Sequence, residues 1–192
     1  MKKLLITGFD AFGGAGINPS WEAVQLLPDA IGEYEIHKLQ LPTVYGKAPQ
    51  LLLEKASEIH PDVIISVGQA GGRDAVTPER IAVNIRAARI ADNAGVLLDG
   101  DRIEPDSPAA YFSTLPVEAM RDAIRVAGIP AAVSNTAGSF VCNDVMYSAL
   151  HRYAGTQVRC GFIHVPWLPE QGKPSLPLEQ TVQALTAAVS AL

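Results

Sequence analysis

The sequence predicts an α/β protein, a single-domain three-layer α/β/α sandwich with a largely parallel sheet. Three observations carry this expectation. Strand-like and helix-like segments alternate through most of the 192 residues. Val63 to Val67 is an unbroken apolar run, as expected of a strand buried on both faces. Hydrophobic residues make up 48% of the chain and charged residues 18%, which fits one sizeable core and excludes a disordered chain. No internal repeat, low-complexity tract or linker divides it, so residues 1–192 read as one domain.

Lys3 to Thr7 is a short apolar strand ending at Gly8. The glycine-rich loop from Gly8 to Pro19 lacks both Gly-x-Gly-x-x-Gly and a following Gly-Lys-Ser/Thr, so it does not match a phosphate cradle. Its Phe9 and Phe12 suit either core plugs or the wall of a flat pocket. Asn18-Pro19 is an N-cap and first helical residue for a helix reaching about Leu27, and capping explains Asn18 as well as binding does. Tyr34 to Leu41 is a second strand, and Lys47 to Ile59 a helix closed by Pro61. After the strand at Val63 to Val67 comes Gln69, at the carboxyl end where open α/β sheets bind ligands. A loop amide bonded to backbone is an equal account of it.

Ile81 to Ile85 alternates as a strand with one wetter face. Arg86 to Asp106 is a polar excursion with a hairpin and turn signals at Asn93-Ala94-Gly95 and Asp99-Gly100-Asp101. Pro116 to Ala127 is a helix stopped by Gly128. Ala131 to Ser134 is a short strand leading through an elbow into a helix from about Phe140, with Val141, Val145, Ala149 and Tyr153 on one stripe. Val158 to Val165 is the last strand, Pro166 to Gly172 a stiff loop, and Leu178 to Leu192 the closing helix.

Net charge is −5 with no run of Lys or Arg, which argues against nucleic acid or anionic membrane as a partner. Gly8 and Asp10 end the first apolar run too early for a signal peptide, and no run of about 18 apolar residues could span a membrane. Two cysteines, Cys142 and Cys160, are too few for a disulfide scaffold and point to a cytoplasmic protein with reduced thiols.

Cys142 falls in the first turn of its helix, where unpaired N–H groups and the helix dipole favour thiolate. A small buried apolar residue is the plain alternative. A thiolate nucleophile needs a base, and histidine is the usual one. Of four histidines, His37 lies in a strand, His60 closes a helix and His151 is too far along the Cys142 helix. His164 ends the strand after that helix, at the sheet edge where Cys142 is expected to emerge. Glu79 is the candidate acceptor to orient the imidazole, with pairing to Arg80 at the surface as its alternative. Cysteines and histidines are scattered without zinc spacing.

Six blocks then carry a resemblance: Gly8-Phe9-Asp10-Ala11-Phe12-Gly13-Gly14 with Asn18-Pro19-Ser20-Trp21; Val67 to Arg73; Glu79 to Asn84; Arg89 to Asn93; Ser134 to Asn143; and Phe162 to Pro166. In this order they resemble the pyroglutamyl-peptidase I (pyrrolidone-carboxylate peptidase) family of cysteine exopeptidases. The resemblance implies Cys142 as nucleophile, His164 as base and Glu79 as its orienting partner. It implies Phe9, Phe12, Asn18 and Gln69 around a pyroglutamyl ring, with Ile90, Phe140 and Val141 near it. Arg89 and the backbone N–H of Cys142 would face the oxyanion. It further implies peptides with an N-terminal pyroglutamyl residue as substrate, no cofactor, and a homodimer or homotetramer. Ala91, Ser139 and Asp144 depart from the family's usual residues. A glutamine amidotransferase-type hydrolase would show Gly-x-Cys-x-Gly and His-x-Glu, which are absent here, and a ligand-binding module would need the missing phosphate loop.

Overall fold

A computed structural model describes residues 1–192. In chain order the elements are β1 (Lys2–Phe9), α1 (Pro19–Gln25), β2 (Ala30–Ile31), β3 (Tyr34–Leu41), α2 (Lys47–Ile59), β4 (Val63–Gln69), β5 (Thr77–Pro78), β6 (Ile81–Val83), β7 (Arg86–Ala87), β8 (Asp99–Asp101), β9 (Ala110–Phe112), α3 (Val117–Val126), α4 (Val141–Arg152), β10 (Arg159–Val165) and α5 (Leu178–Ser190). The main sheet has the order β2-β3-β1-β4-β10-β5. Its four central strands are parallel, and the short edge strands β2 and β5 run antiparallel to their neighbours.

Alternation along the strands sorts the core into two layers. Leu4, Ile6, Val63, Ile65, Val67, Ile163 and Val165 pack with residues of α1, α3 and α5. Leu5, Ile64, Cys160 and Phe162 point the other way, against α2 and α4. This is the expected sandwich. Cys160, Phe162 and His164 share the α4 face, so His164 is turned towards the helix that carries Cys142. No helix is long and apolar enough to cross a membrane.

Ala131 to Ser134 is not a regular strand. It makes only isolated parallel bridges, Val76 with Ala131 and Glu79 with Ser134. Since β5 runs antiparallel to β10, this segment also runs against the central strands. The chain therefore travels away from the carboxyl edge and returns through residues 135–140 before α4 begins. The predicted meeting of Cys142 and His164 comes about by a different path.

The excursion also differs in detail. Asp99 to Asp101 was expected as a turn, but pairs as β8 with β7. The strand expected over Ile81 to Ile85 stops at Val83 and pairs with β9, which the sequence pattern did not reveal. Beyond Val83 the side chain of Asn143 replaces a neighbouring strand. Its Oδ1 accepts from Val83 N at 2.9 Å, and its Nδ2 donates to Val83 O at 2.8 Å and Ile85 O at 3.0 Å. Asp144 is fully buried next to it, accepting from Gly46 N at 2.8 Å and pairing with Arg86 at 2.9 Å. The first turn of α4 is thus bolted to α2 and to the excursion.

Replacing Asn143 with alanine removes all three bonds: Val83 O keeps the Ile85 N–H at 2.9 Å, while Val83 N and Ile85 O lose their side-chain partner. Urea unfolding of Asn143→Ala should show a loss of about 1–2 kcal/mol. A loss under about 0.5 kcal/mol would mean that these bonds do not hold the first turn of α4.

Candidate active site

Glu79 follows β5 and is fully buried, its backbone N–H held by Phe162 O at 2.9 Å. Its Oε1 accepts from His164 Nδ1 at 2.7 Å and from Arg73 at 2.6 Å. Arg80, the alternative partner, instead bonds Glu118 and Asn135. Oε2 of Glu79 is buried and unpartnered. Ser134 lies beside it and helps hold its charge, but in this geometry the Ser134 hydroxyl donates to Thr136 O. Burial pushes the Glu79 carboxyl up, yet the bond and charge of His164, with Ser134 and Arg73, outweigh it and hold the group below its ordinary value. Burial pushes His164 down, and the opposing pull of Glu79 does not restore it. His164 is therefore a neutral ring whose Nδ1–H donates to the carboxylate, leaving Nε2 free to accept a proton.

Gly68 on β4 pairs in register with His164 on β10, so the two positions sit side by side on one face. A β-carbon at Gly68 would lie 2.8 Å from Cys142 Sγ and 2.8 Å from Phe162 Cζ. The sulfur thus occupies the space that a side chain beside His164 would fill. Cys142 is the second residue of α4, and no side chain caps that helix end. Its N-terminal N–H groups remain available to an anion.

The thiol departs from expectation. Burial pushes Cys142 up to about 12, and the negative charge of Glu79 adds to the rise. Arg73 and the residue's own backbone N–H pull the other way without prevailing. A helix end favours an anion by about 2 kcal/mol at most, while removing a thiolate from water is the larger effect here. Cys142 at rest is a protonated thiol.

Cys142 and His164 line a cavity of about 310 Å³ together with Phe9, Phe12, Asn18, Gln69, Arg73 and Phe140. Phe12 and Phe140 lie 5.8 Å apart by ring centroids, and Tyr45 stands edge-on to Phe140 at 5.5 Å. Thr43, Ala70, Gly71 and the turn from Thr136 to Gly138 complete the wall, which contains no Asp or Glu. Asn18 reaches the cavity, but its polar ends are engaged: Oδ1 caps α1 through Ser20 N, and Nδ2 donates to Asp10 O.

Three expected residues do not line this cavity. Val141 is fully buried in the core behind Cys142. Ile90 lines an adjoining cavity of about 460 Å³ that shares Phe12 and Gln69 with the first. Arg89 is exposed, lines no cavity and forms no ion pair, because Ala87 is pinned to Ser139 and the chain then turns outward. The cation beside the cluster is Arg73. Its place after the Gln69–Gly72 turn was visible in sequence, but its reach to Glu79 was not. A larger cavity of about 490 Å³, beside Lys2, Asp62 and Arg159, lies at the opposite edge of the sheet and holds no histidine. No three His, Cys, Asp or Glu side chains gather in a way that could hold a metal ion.

A family model described as pyroglutamyl peptidase matches residues 2–192. The chain is 51% identical over 197 residues to a pyrrolidone-carboxylate peptidase of Levilactobacillus brevis, covering 99% of this chain and 97% of that protein. A pyrrolidone-carboxylate peptidase of Escherichia fergusonii is 49% identical, with 100% and 94% covered. The crystal structure of Bacillus amyloliquefaciens pyroglutamyl peptidase I superposes with a TM-score of 0.96 at 46% identity, covering 100% of this chain and 96% of that one. Pyrrolidone carboxyl peptidase from Thermococcus litoralis gives 0.95 at 39% identity, with 100% and 93% covered.

Two pH-dependent outcomes follow. Ultraviolet titration of thiolate, taken as wild type minus Cys142→Ser, should show no transition near neutrality, and one centred below pH 7 would contradict a protonated thiol. Stability should fall as pH drops below 6.5, the ordinary value for histidine. There the unfolded chain binds a proton that buried His164 refuses. His164→Gln should flatten that limb, and an unchanged slope would remove His164 as its source.

Proposed function

The chain belongs to the pyroglutamyl peptidase family, and on that premise we propose that it hydrolyses the peptide bond after an N-terminal pyroglutamyl residue through a Cys142 acyl-enzyme. The single observation that best supports this reading is a neutral His164, bonded to Glu79 at 2.7 Å, lining one cavity with the Cys142 thiol. The cavity itself suits the substrate. A pyroglutamyl ring is flat and uncharged, with one N–H and one carbonyl, which suits aromatic walls with an amide among them. A free amino terminus would bring an ammonium beside Arg73 and meet no carboxylate in the wall.

In the proposed reaction the thiol proton moves to His164 Nε2 as the sulfur attacks the scissile carbonyl. The oxyanion forms at the uncapped end of α4, next to the backbone N–H of Cys142. Imidazolium is stabilised by Glu79 and then protonates the leaving amine, giving a thioester. Water, deprotonated by His164, attacks the thioester and releases pyroglutamate, restoring the thiol. The rise of the thiol to about 12 makes proton transfer during attack part of the barrier rather than a step completed beforehand. Arg89 would reach the oxyanion only if its segment folds inward when substrate binds.

We extend the proposal to residues 1–192 as one catalytic domain, acting in the cytoplasm as a homodimer or homotetramer. The two free cysteines support the compartment. Exposed Ile85, Ile90, Val96 and Leu97 on the excursion support association.

On a pyroglutamyl-amide reporter, Cys142→Ser and His164→Ala should each lose about 10⁴-fold or more in kcat/KM. Glu79→Gln should be milder. Arg73 can only donate, so it keeps the amide oxygen at the Oε1 position, where it still accepts from His164 Nδ1. A greater loss for Glu79→Gln than for His164→Ala would reverse the roles of base and orienter. Prolyl and glutamyl reporters should not be cleaved measurably, and comparable turnover of the prolyl reporter would remove lactam recognition from the cavity.

A further inference from the structure

Gln171 lies in the loop between β10 and α5, outside the wall of the catalytic cavity, and lines the adjoining one. We propose that Gln171 is a specificity-determining positioning residue: it fixes the orientation of the Gln69 amide so that Gln69 presents N–H, not C=O, to the lactam. The proposal rests on the lactam reading of the cavity and deepens it.

The orientation follows from a chain of donors that have no choice of role. The backbone N–H of Leu168 can only donate, and it donates to Gln171 Oε1 at 3.0 Å. The carboxamide oxygen of Gln171 is thereby committed to Leu168, and its NH2 must point the other way. That NH2 reaches Ile17 O at 3.4 Å, a group that can only accept. It also reaches Gln69 at 3.0 Å, where the atom facing it must be an acceptor, Oε1. With Oε1 turned to Gln171, Nε2 of Gln69 is left free of protein partners at the cavity. An amide alone in a pocket could rotate and read either a carbonyl or an N–H at little cost. Here two backbone groups, relayed through Gln171, select one of the two faces.

The loop is built to hold this relay. Gln171 N donates to Leu168 O at 2.9 Å, so the Leu168–Gln171 turn is closed by backbone and side chain together. Leu176 N bonds Trp167 O at 2.8 Å, which ties the returning strap to the start of the turn. The ring of Trp167 packs where a side chain at Gly71 would stand, its Cε2 overlapping the position of the absent β-carbon. The strap is thus seated against the segment that carries Gln69.

Gln171→Glu tests the relay. The carboxylate still accepts from Leu168 N–H, but its other oxygen now calls for a donor. Gln69 must turn its NH2 towards residue 171 and its oxygen towards the lactam carbonyl. Gln171→Leu removes the relay without imposing the opposite orientation. The probe is 2-pyrrolidone, read as protection of Cys142 from iodoacetamide, together with KM and kcat on a pyroglutamyl-amide reporter. The glutamate variant should raise both KM and the protection constant about tenfold or more. Its kcat and its unprotected alkylation rate should stay within about twofold of wild type, and the leucine variant should show a smaller KM rise. Equal or greater damage from leucine would indicate packing alone and overturn the proposal, as would an unchanged KM in the glutamate variant. If 2-pyrrolidone fails to protect the wild-type enzyme, the lactam reading itself fails, and that result is distinct from either variant's behaviour.

Discussion

One oxygen atom organises the catalytic end of this molecule. Glu79 Oε1 accepts from both His164 Nδ1 and Arg73, in a place from which water is excluded. A buried carboxylate is stable only if paired, and this one is paired twice through the same atom. The arrangement fixes the tautomer of His164, because Nδ1 must carry the proton. It also makes the ring's free nitrogen the only available base beside Cys142. The bond from His164 does most to keep the carboxylate ionised against burial, and Ser134 and Arg73 add to it.

Four competing effects act on the thiol, and their relative sizes decide its state. The helix end and Arg73 favour thiolate, while burial and the nearby Glu79 charge oppose it. Burial dominates. In the proposed reaction, substrate changes that balance by bringing a carbonyl that accepts the sulfur's electron pair as the proton leaves. Gly68 is the packing condition for all of this: only a position without a β-carbon lets Sγ lie over the sheet next to His164. The helix that supplies Cys142 is fixed by Asn143 and Asp144, the two residues that follow it. The Asp144 carboxylate is committed to Gly46 N and Arg86.

Much of the fold was legible because its signals are local. Tyr34–Leu41 and Lys47–Ile59 are marked at their ends by glycine and proline, and both appear with the predicted limits. The parallel core strands announce themselves as short apolar runs. What was not legible depends on partners distant in sequence. β9 and β8 are strands only because β6 and β7 lie beside them. Ala131 to Ser134 has strand-like composition but too few partners to become one. In the site, the cluster of Cys142, His164 and Glu79 was readable from residue types and order, whereas Arg73, Gln171 and the state of the thiol were not. Burial of a thiol by Phe162 and by β4 is a three-dimensional quantity. No spacing along the chain encodes it.

An acyl group carried by Cys142 must be bound there covalently during turnover. Rapid acid quenching during turnover of an activated pyroglutamyl ester, followed by peptide mass mapping, tests it directly. The predicted result is one pyroglutamyl group added at Cys142, forming within a single turnover and disappearing when substrate is exhausted. In His164→Ala, whose thiol lacks a base, the adduct should not build up on the timescale of wild-type turnover. Turnover by the wild-type enzyme with Cys142 unmodified at every quench time, together with full activity after Cys142 is alkylated, would remove Cys142 as the carrier of the acyl group.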